Sequence, residues 1–342
     1  MKQHLNTLFV TTQGAYLRKE GDALAVRVDQ KTVLRVPLHH LSGICCFGNV
    51  SVSPRLLGRC ADGGIAVTYL TEQGRFLARV SGCTPGNVLL RREQYRRADD
   101  VGLSCLAVAK PIVLAKVLNC RTVLQRATRD QPDCDVDGSV TAAVKQLATC
   151  AAAAKNSDNL AALRGVEGDA GRSYFAVFRR LIFRRQFAFN GRTRRPPKDA
   201  VNAVLSFVYT LLMHDARAAV EAAGLDSQVG FLHRDRPGRP SLALDVMEEF
   251  RPYLADRLVL SLINRDQIST AGFSTTAVGG VTMDDATRKQ VIVGYQKRKQ
   301  EEVIHPFLGE RVTVGHLPHM QALLLSRYLR GDLDAYPAFF WK

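Results

Sequence analysis

The stretch GFLHRDRPGRPSLALDVMEEFRP, residues 230–252, places acidic side chains inside an otherwise apolar segment. Ser241 is a residue type that commonly caps helices, so a helix is predicted to begin at Leu242. In that helix Asp245 and Glu248 are three residues apart and project from the same face. Apolar residues surround this face on nearly all sides, which predicts a core helix that carries carboxylates.

These acids, with the adjoining Glu249, require a compensating charge, because a buried unpaired carboxylate is costly or takes up a proton. One alternative is an arginine network, since Arg236, Arg239 and Arg251 are close in the sequence. The other is a divalent cation, which His233 favours. A neutral imidazole beside two carboxylates suits Mn²⁺ or Mg²⁺, with open positions left to water and phosphate oxygens. This stretch alone leaves both alternatives open.

A further acid occurs in NLAALRGVEGDAGRSYFAVF, residues 159–178, where Glu167 lies in a segment of helical spacing. Gly165, Gly168 and Gly171 recur there at three-residue intervals. Each glycine inside a helix costs about 0.5–1 kcal/mol relative to alanine. Glycines on one helix face allow the close approach of a metal, a phosphate chain or another backbone, and ordinary helix–helix packing is the alternative.

The chain is strongly basic, with a formal net charge of +15 and a pI of about 9.7. A protein this basic usually binds a polyanion, nucleic acid ahead of membranes or glycans, although charge for solubility alone is the alternative. The charge is densest in residues 171–200, where interleaved phenylalanines are expected to form the buried side. The residues predicted to contact DNA phosphates, unless they form only a solvated face, are Arg184, Arg185, Arg192, Arg194, Arg195 and Lys198.

Residues 1–84 consist of short β-rich runs separated by turn sequences. One short helix is predicted after Ser53, where proline follows. This pattern predicts a small N-terminal β-rich domain, mostly antiparallel and β-sandwich-like.

Residues 85–342 contain long segments of helical spacing, which predict a larger all-α C-terminal catalytic domain and hence the α+β class. Asn87 is a candidate cap for the first of these helices. Residues 273–283 are a candidate hairpin, and residues 129–139 are the most loop-like segment.

The sequence disfavours membrane proteins, secreted proteins and proteins built on disulfide or zinc–cysteine sites. We expect no apolar run to approach the roughly 18–20 residues of a membrane span, and the N-terminus lacks a signal-peptide pattern. We therefore expect a cytoplasmic protein that does not bind membranes. The eight cysteines lack CxxC spacing, which predicts buried thiols. The remaining histidines, including His305, His316 and His319, have no acidic companions at ligand spacing and are predicted to be structural.

Three ordered motifs point to one family: VEGDAGRSYF (166–175), RRPPKDAVNAVLSFVYTLL (194–212) and HRDRPGRPSLALDVMEEFRP (233–252). With the closing stretch at 296–337, the chain resembles CRISPR-associated protein 1, in its type I-C branch, over essentially its whole length. This resemblance implies a prokaryotic, metal-dependent DNA endonuclease and integrase that acts in CRISPR adaptation and antiviral defence. Such an enzyme joins a DNA 3′-hydroxyl to a phosphodiester of the CRISPR repeat.

The resemblance also assigns roles to residues. It implies that Glu167, His233 and Glu248 bind Mg²⁺ or Mn²⁺ and are catalytic, and that Asp245 supports the site. Glu248 stands where the family often has aspartate, which leaves open whether Glu248 or Asp245 dominates coordination.

The implied partners are DNA (the prespacer duplex and the CRISPR repeat), a second copy of the chain bound through the β domain, and a dimer of CRISPR-associated protein 2. Two alternatives remain beside this interpretation. One is a non-catalytic DNA-binding scaffold whose acids pair with arginines, and the other is a general metal-dependent DNA-repair nuclease.

Overall fold

The computed structural model describes residues 6–72, 74–80, 82, 88–100 and 102–341. Its contacts divide the chain into two compact units, Met1–Gly86 and Asn87–Lys342. The predicted α+β class is confirmed, since the first unit is rich in strands and the second is mainly helical. The predicted boundary at residues 84 and 85, the cap at Asn87 and the thiol of Cys83 lie outside the described residues.

Among its described residues, the N-terminal unit contains two four-stranded sheets and one α-helix around a shared apolar core. In spatial order the first sheet consists of β1 (Asn6–Val10), β5 (Leu41–Phe47), β7 (Ala66–Leu70) and β8 (Phe76–Val80). The second sheet consists of β4 (Lys31–Pro37), β3 (Ala23–Val28), β2 (Tyr16–Glu20) and β6 (Ser51–Val52). The core is formed by buried residues from both sheets and from the helix α1 (Pro54–Asp62), among them Leu17, Leu24, Ile44, Leu56 and Val67.

The strand directions differ from the mostly antiparallel arrangement that we predicted. The pairs β1–β5, β5–β7 and β2–β6 are parallel, and the other three pairs of these sheets are antiparallel. Parallel neighbours need a crossover connection, and α1 supplies it between β5 and β7. The predicted helix after Ser53 is confirmed, and the Ser53 hydroxyl accepts a hydrogen bond from the Leu56 amide (3.3 Å).

The C-terminal unit is built on nine helices among the residues described there. They are α2 (Val88–Asp99), α3 (Ser104–Asp130), α4 (Ser139–Lys155), α5 (Leu160–Val177), α6 (Ala200–Ala222), α7 (Ser241–Glu248), α8 (Arg257–Asn264), α9 (Asp285–Gln300) and α10 (Leu317–Arg330). The unit is not all-α, because it also contains two hairpins. The hairpin β9 (Phe273–Thr275) and β10 (Val281–Met283) agrees with the prediction. The hairpin β11 (Glu302–Ile304) and β12 (Arg311–Thr313) was missed.

The segment predicted to be most loop-like, residues 129–139, is locally organised. A short 3₁₀ turn, Pro132–Asp135, follows the end of α3. The Asp135 carboxylate accepts hydrogen bonds from the backbone amides of Val140 (2.6 Å) and Thr141 (3.0 Å). These contacts satisfy free amides in the first turn of α4.

Helix α6 is long and apolar enough, by length and composition, to cross a membrane, so our statement about apolar runs was too strong. Sixty-one per cent of its most apolar window is buried inside the structure, which is the environment of a core helix. Its polar side chains include Asn202, Tyr209 and Asp215, and each makes a hydrogen bond within the C-terminal unit.

The helix predicted from the opening stretch is interrupted. Ser241 is the first residue of α7 and not its cap, and its hydroxyl donates to the Arg234 carbonyl (3.1 Å). After α7 the backbone widens into a π-helical turn, Arg251–Asp256, before α8 begins. Pro252 explains this, since its ring clashes with the carbonyl four residues earlier and it has no amide proton. Such turns are frequent at functional sites.

The last residues, 336–341, which we call the C-terminal strap, are held by Asn119 of α3 and by Glu249. The Asn119 amide group donates to the carbonyls of Glu249 (2.8 Å) and Phe339 (2.9 Å). The Glu249 carboxylate accepts from the Tyr336 hydroxyl (2.5 Å), the Phe339 amide (2.6 Å) and the Gln321 side chain (2.9 Å). The strap therefore fixes the residue that follows Glu248.

We predict that Glu249 makes the protein more stable at acidic pH. Burial raises the pKa of Glu249 from 4.5 to about 7, despite its hydrogen bonds to Tyr336, Phe339 and Gln321. The folded state therefore binds this proton more tightly than the unfolded state, and stability is lost as pH rises from about 4.5 to about 7. A shift of this size corresponds to about 3 kcal/mol.

Denaturant unfolding of the wild type and of Glu249→Gln, at pH 5 and pH 8 in EDTA, measures this contribution. The glutamine keeps the acceptor for Tyr336 without the charge, so the variant should gain relative stability at pH 8. An equal stability difference between the two proteins at both pH values would contradict the prediction.

Candidate active site

Two acids predicted to act together lie against one lysine. Glu167 projects from the middle of α5 and Glu248 from the last residue of α7. The Lys116 ammonium, from α3, forms an ion pair with Glu167 Oε1 and lies 2.7 Å from Glu248 Oε2. His233 completes the group, because its Nε2 lies 3.9 Å from Glu248 Oε1. Glu248 thus contacts Lys116 through one carboxylate oxygen and lies near His233 through the other.

Asp245 holds the loop that carries His233. Its Oδ2 accepts from the backbone amides of Phe231 (2.6 Å) and Leu232 (2.9 Å). Its Oδ1 accepts from the His233 amide (3.0 Å) and lies 2.6 Å from His233 Nδ1. Asp245 is completely buried, so its oxygens are committed to these contacts. With the proton on Nδ1, the lone pair of Nε2 is on the side of Glu248.

Arg164 fastens the same loop from the opposite side. Its Nε donates to the carbonyl of Leu232 (2.7 Å), the residue whose amide is bound by Asp245. Arg164 lies on α5 three residues before Glu167, so this bond ties the helix of one acid to the loop of His233. The sequence pattern offered no signal for this contact, because it joins a side chain to a backbone carbonyl.

The charge on Glu248 is stabilised although the residue is buried. Burial raises its pKa, but Arg251, Lys116 and His233 outweigh that effect and lower the pKa to about 2. Arg251 Nη1 lies 2.8 Å from Glu248 Oε1. Lys116 is likewise buried, which lowers its pKa, yet Glu248 and Glu167 raise the pKa above its usual value. The arginine alternative is thus correct for Arg251, and Lys116 supplies the rest of the compensation.

The side chains around Lys116 have the chemistry of a divalent-cation site but not its geometry. Among the described residues, no three histidine, cysteine or acidic side chains surround a single point at ligand distances as they stand. The Lys116 ammonium lies instead between the two carboxylates. The donors nevertheless suit Mg²⁺ or Mn²⁺, since carboxylate oxygens are joined by an imidazole whose second nitrogen is bound to a carboxylate. Glu167, Glu248 and His233 therefore fit such an ion if the Lys116 ammonium moves out from between the carboxylates and the metal ion takes its place.

A cleft of about 610 Å³ opens beside these acids. It is lined by Lys116, Cys120, Glu167, Gly168, Gly171, Arg172, Tyr174, Phe175, Ala176, Gly191, Arg192, Arg194, Tyr209, Arg251, Pro252 and Asp256. A Cβ atom added at Gly165, Gly168 or Gly171 would meet no atom within 4 Å. Helix–helix packing within the described chain therefore does not explain these glycines, and two of them leave open space along the cleft.

Only some of the basic residues predicted to contact DNA phosphates line the cleft. Arg192 and Arg194 line it, and Arg192 is held by Asn202 Oδ1 (2.8 Å) and Ser206 Oγ (3.0 Å). Arg184 pairs with Asp266, and the remaining members of the predicted set, Arg185, Arg195 and Lys198, are exposed and do not line the cleft.

The phenylalanines of the same region are mostly on the buried side, as predicted. Phe178, Phe187 and Phe189 are buried. Phe183 is exposed, and Phe175 lines the cleft. These two positions depart from the prediction.

Asp256 is a cleft residue that the sequence analysis missed. The Tyr209 hydroxyl donates to Asp256 Oδ1 (2.5 Å). Burial raises the pKa of Asp256 to about 6, although Tyr209, Tyr174 and Arg251 act in the opposite direction. The pattern that identified Glu248, a charged residue inside an apolar helical segment, could also have identified Asp256. The same pattern applies to Lys116 in LAVAKPIVLAKVLN.

Comparisons with known proteins agree on one family. A family model described as CRISPR associated protein Cas1 matches residues 8–297. The chain is 53% identical to a CRISPR-associated endonuclease Cas1 of Chlorobaculum tepidum over the whole of both chains. It is 49% identical to a second such protein, of Rhodospirillum rubrum, again over the whole of both chains.

Solved structures share the fold at low identity. A CAS1 protein from Thermotoga maritima, TM1797, has a TM-score of 0.83 at 22% identity and covers 98% of this chain and 100% of its own. A casposase bound to integration product has a TM-score of 0.84 at 20% identity, covering 99% and 95%. A chain of a Cas6-RT-Cas1–Cas2 complex has a TM-score of 0.82 at 24% identity, covering all of this chain and 36% of its own.

We predict that Lys116→Met destabilises the metal-free protein by about 3 kcal/mol, because two carboxylates then face each other without their shared cation. Added Mn²⁺ should restore much of this loss by neutralising the same acids. The increase in Tm on adding Mn²⁺ should therefore be larger for the variant than for the wild type.

Lys110→Met is the matched control, since Lys110 lies on the same helix and does not line the cleft. Thermal unfolding in EDTA and in Mn²⁺ measures both variants. If Mn²⁺ raised the Tm of all three proteins equally, Lys116 would not be the competitor of a metal ion.

Proposed function

The chain belongs to the family of CRISPR-associated Cas1 endonucleases, and from this premise we propose that it inserts short foreign DNA fragments into a CRISPR array of type I-C. The reaction is a metal-dependent attack of a DNA 3′-hydroxyl on a phosphodiester of the repeat. The observation that supports this assignment is that the Lys116 ammonium pairs with both Glu167 and Glu248, while His233 Nε2 lies 3.9 Å from the second oxygen of Glu248.

In this proposal Glu167, Glu248 and His233 bind Mg²⁺ or Mn²⁺. The bound ion supplies Lewis acidity, polarising the scissile phosphate and offsetting charge on its oxygens. Asp245 is a positioning residue, because its oxygens already bind three backbone amides and the His233 ring. In this proposal Glu248, and not Asp245, therefore takes the place of the family's last acidic metal ligand.

The remaining cleft residues act on the DNA backbone. Arg172, Arg192 and Arg194 offer guanidinium groups to phosphates, a contact that positions DNA and reads no base. Gly168 and Gly171 allow the sugar–phosphate chain to approach α5 closely. In the transfer, one O3′–phosphorus bond forms as another breaks, and the leaving 3′-oxygen gains the proton that the attacking hydroxyl loses, so no external energy source is needed.

We further propose a homodimer joined through the β-rich unit. Two of its edge strands, β4 and β8, expose apolar side chains, with Val33 60% and Leu77 53% exposed. Exposed apolar edge strands usually require a covering partner. The CRISPR-associated protein 2 dimer is the second proposed partner, as in the assembly named for one structural neighbour, and the prokaryotic cytoplasm is the proposed location.

A non-catalytic DNA-binding scaffold is the second candidate function. The observation that favours it is that Lys116 and Arg251 already compensate the acids without any metal. A third interpretation, a general repair nuclease, uses the same site without strand joining.

One assay separates these functions. A supercoiled plasmid bearing a repeat array is incubated with short duplexes that have free 3′-ends, in Mn²⁺ or Mg²⁺, with and without the CRISPR-associated protein 2 partner. We expect joined, nicked plasmid from the wild type and at least about a hundredfold less from Glu248→Ala, since removing a metal ligand typically removes this much activity or more.

Fragments without joined product would identify a repair nuclease. If Glu248→Ala still cleaved and joined DNA at the wild-type level, the assignment of the site would be wrong. Asp245→Asn serves as a companion variant, because it should lower activity by loosening His233 while leaving Glu167 and Glu248 in place.

We predict that Gly168→Ala and Gly171→Ala make the protein more stable but less active. Each alanine should raise helix stability by about 0.5–1 kcal/mol, since no described atom obstructs its methyl group. The same methyl group intrudes where the DNA backbone is proposed to lie, so strand joining should fall about tenfold or more.

Gly165→Ala is the matched control, because it gives the same stabilisation outside the cleft lining. Thermal unfolding and the plasmid assay measure the two effects separately. Full joining activity in the Gly168 and Gly171 variants would show that DNA does not approach this face of α5.

A further inference from the structure

Three arginines and two aromatic rings meet away from the residues that line the cleft. Arg126 of α3 and Arg257 of α8 place their guanidinium carbons 4.1 and 4.4 Å from the centre of the Trp341 ring. Arg298 of α9 places its own 4.9 Å from the centre of the Tyr253 ring. Tyr253 and Trp341 are themselves in contact, with ring centres 5.0 Å apart. We call these five residues the arginine–aromatic cluster.

The positive charge of Arg257 is poorly compensated. The Arg257 side chain makes no hydrogen bond or ion pair with any residue that the structure describes, and its guanidinium lies against the two rings. The acid acting on it is Glu301, which already pairs with Arg298. Burial, followed by the charge of Arg298, lowers the pKa of Arg257 to about 10. Charges withdrawn from water are normally paired, so the partly buried Arg257 guanidinium is open to an anion.

The geometry selects the chemistry of that anion. Aromatic rings hold the guanidinium faces and leave the N–H edges for an acceptor. Such planar, multiple donors match the oxygens of a phosphate group. Rings that are occupied by arginines are not offered to bases, which favours contact with a sugar–phosphate backbone over recognition of sequence.

The cluster is connected to the cleft through one short segment. The π-helical turn Arg251–Asp256 contributes Arg251, Pro252 and Asp256 to the cleft and Tyr253 to the cluster. Arg257 is the next residue along the chain. A rigid turn therefore fixes the spacing between the proposed reaction site and this second group of cations.

We infer that the arginine–aromatic cluster is a second phosphate-binding site, which holds the backbone of the DNA outside the reacting phosphodiester. The inference rests on the proposed function only in taking DNA as the polyanion. The cluster binds and does not react, so its contribution is to affinity and not to the chemical step.

The test measures binding of the full chain to a fluorescein-labelled DNA duplex by anisotropy, in EDTA, over a series of salt concentrations. Arg257→Met keeps much of the side-chain volume over Trp341 and removes the charge. It should bind about tenfold more weakly, with a slope of log K against log salt reduced by about one. Arg257→Lys, which keeps the charge, should retain the slope. Glu301→Gln removes the opposing acid and should tighten binding severalfold.

Arg129→Met is the matched control, because Arg129 lies one turn from Arg126 on α3 and pairs with Asp130 outside the cluster. Thermal unfolding of each variant establishes that it is folded. An unchanged salt slope in Arg257→Met, or an equal loss in Arg129→Met, overturns the inference. Because binding is read without metal, its failure leaves strand joining in the plasmid assay untouched, and loss of joining leaves the binding result untouched.

Discussion

The C-terminal unit depends on keeping a buried carboxylate charged. Glu248 lies in the apolar interior, where a lone charge would cost several kcal/mol, and Lys116, Arg251 and His233 lie around it. Each compensating group comes from a different part of the chain, so the charge fixes the mutual positions of α3, α7 and the loop before α7. The same constraint that organises the fold thus assembles the donors of the proposed reaction.

Neighbouring acids show how far environment decides chemistry. Glu248 faces cations, and its pKa falls to about 2. Glu249, the next residue, faces the hydroxyl of Tyr336 and two neutral N–H donors, and burial raises its pKa to about 7. One acid is therefore suited to binding a cation, while the other anchors the C-terminal strap. The two side chains have different surroundings because they project from the backbone in different directions.

Much of the site could be predicted from sequence because charged residues inside apolar helices are costly. That reasoning identified Glu248 and Asp245, residue type and spacing singled out His233 and Glu167, and the family resemblance gave all four their roles. It was not applied to Lys116 or Asp256, although both stand in equally apolar segments. The contact of Arg164 with the Leu232 carbonyl had no sequence signal, since backbone acceptors are present at every residue. Strand direction in the β-rich unit was mispredicted, because alternation reports which face is buried and not which neighbour pairs.

The widened turn after Glu249 has a consequence for insertions and deletions. An α-helix advances by about 100° per residue, so the extra residue accommodated near Pro252 sets the rotation of α8 relative to Glu248. Loss of one residue from this turn would swing Arg257 and the apolar face of α8 by about that angle, away from their present neighbours. A change of length here would therefore disturb several contacts at once, whereas a point substitution alters only the contacts of one side chain.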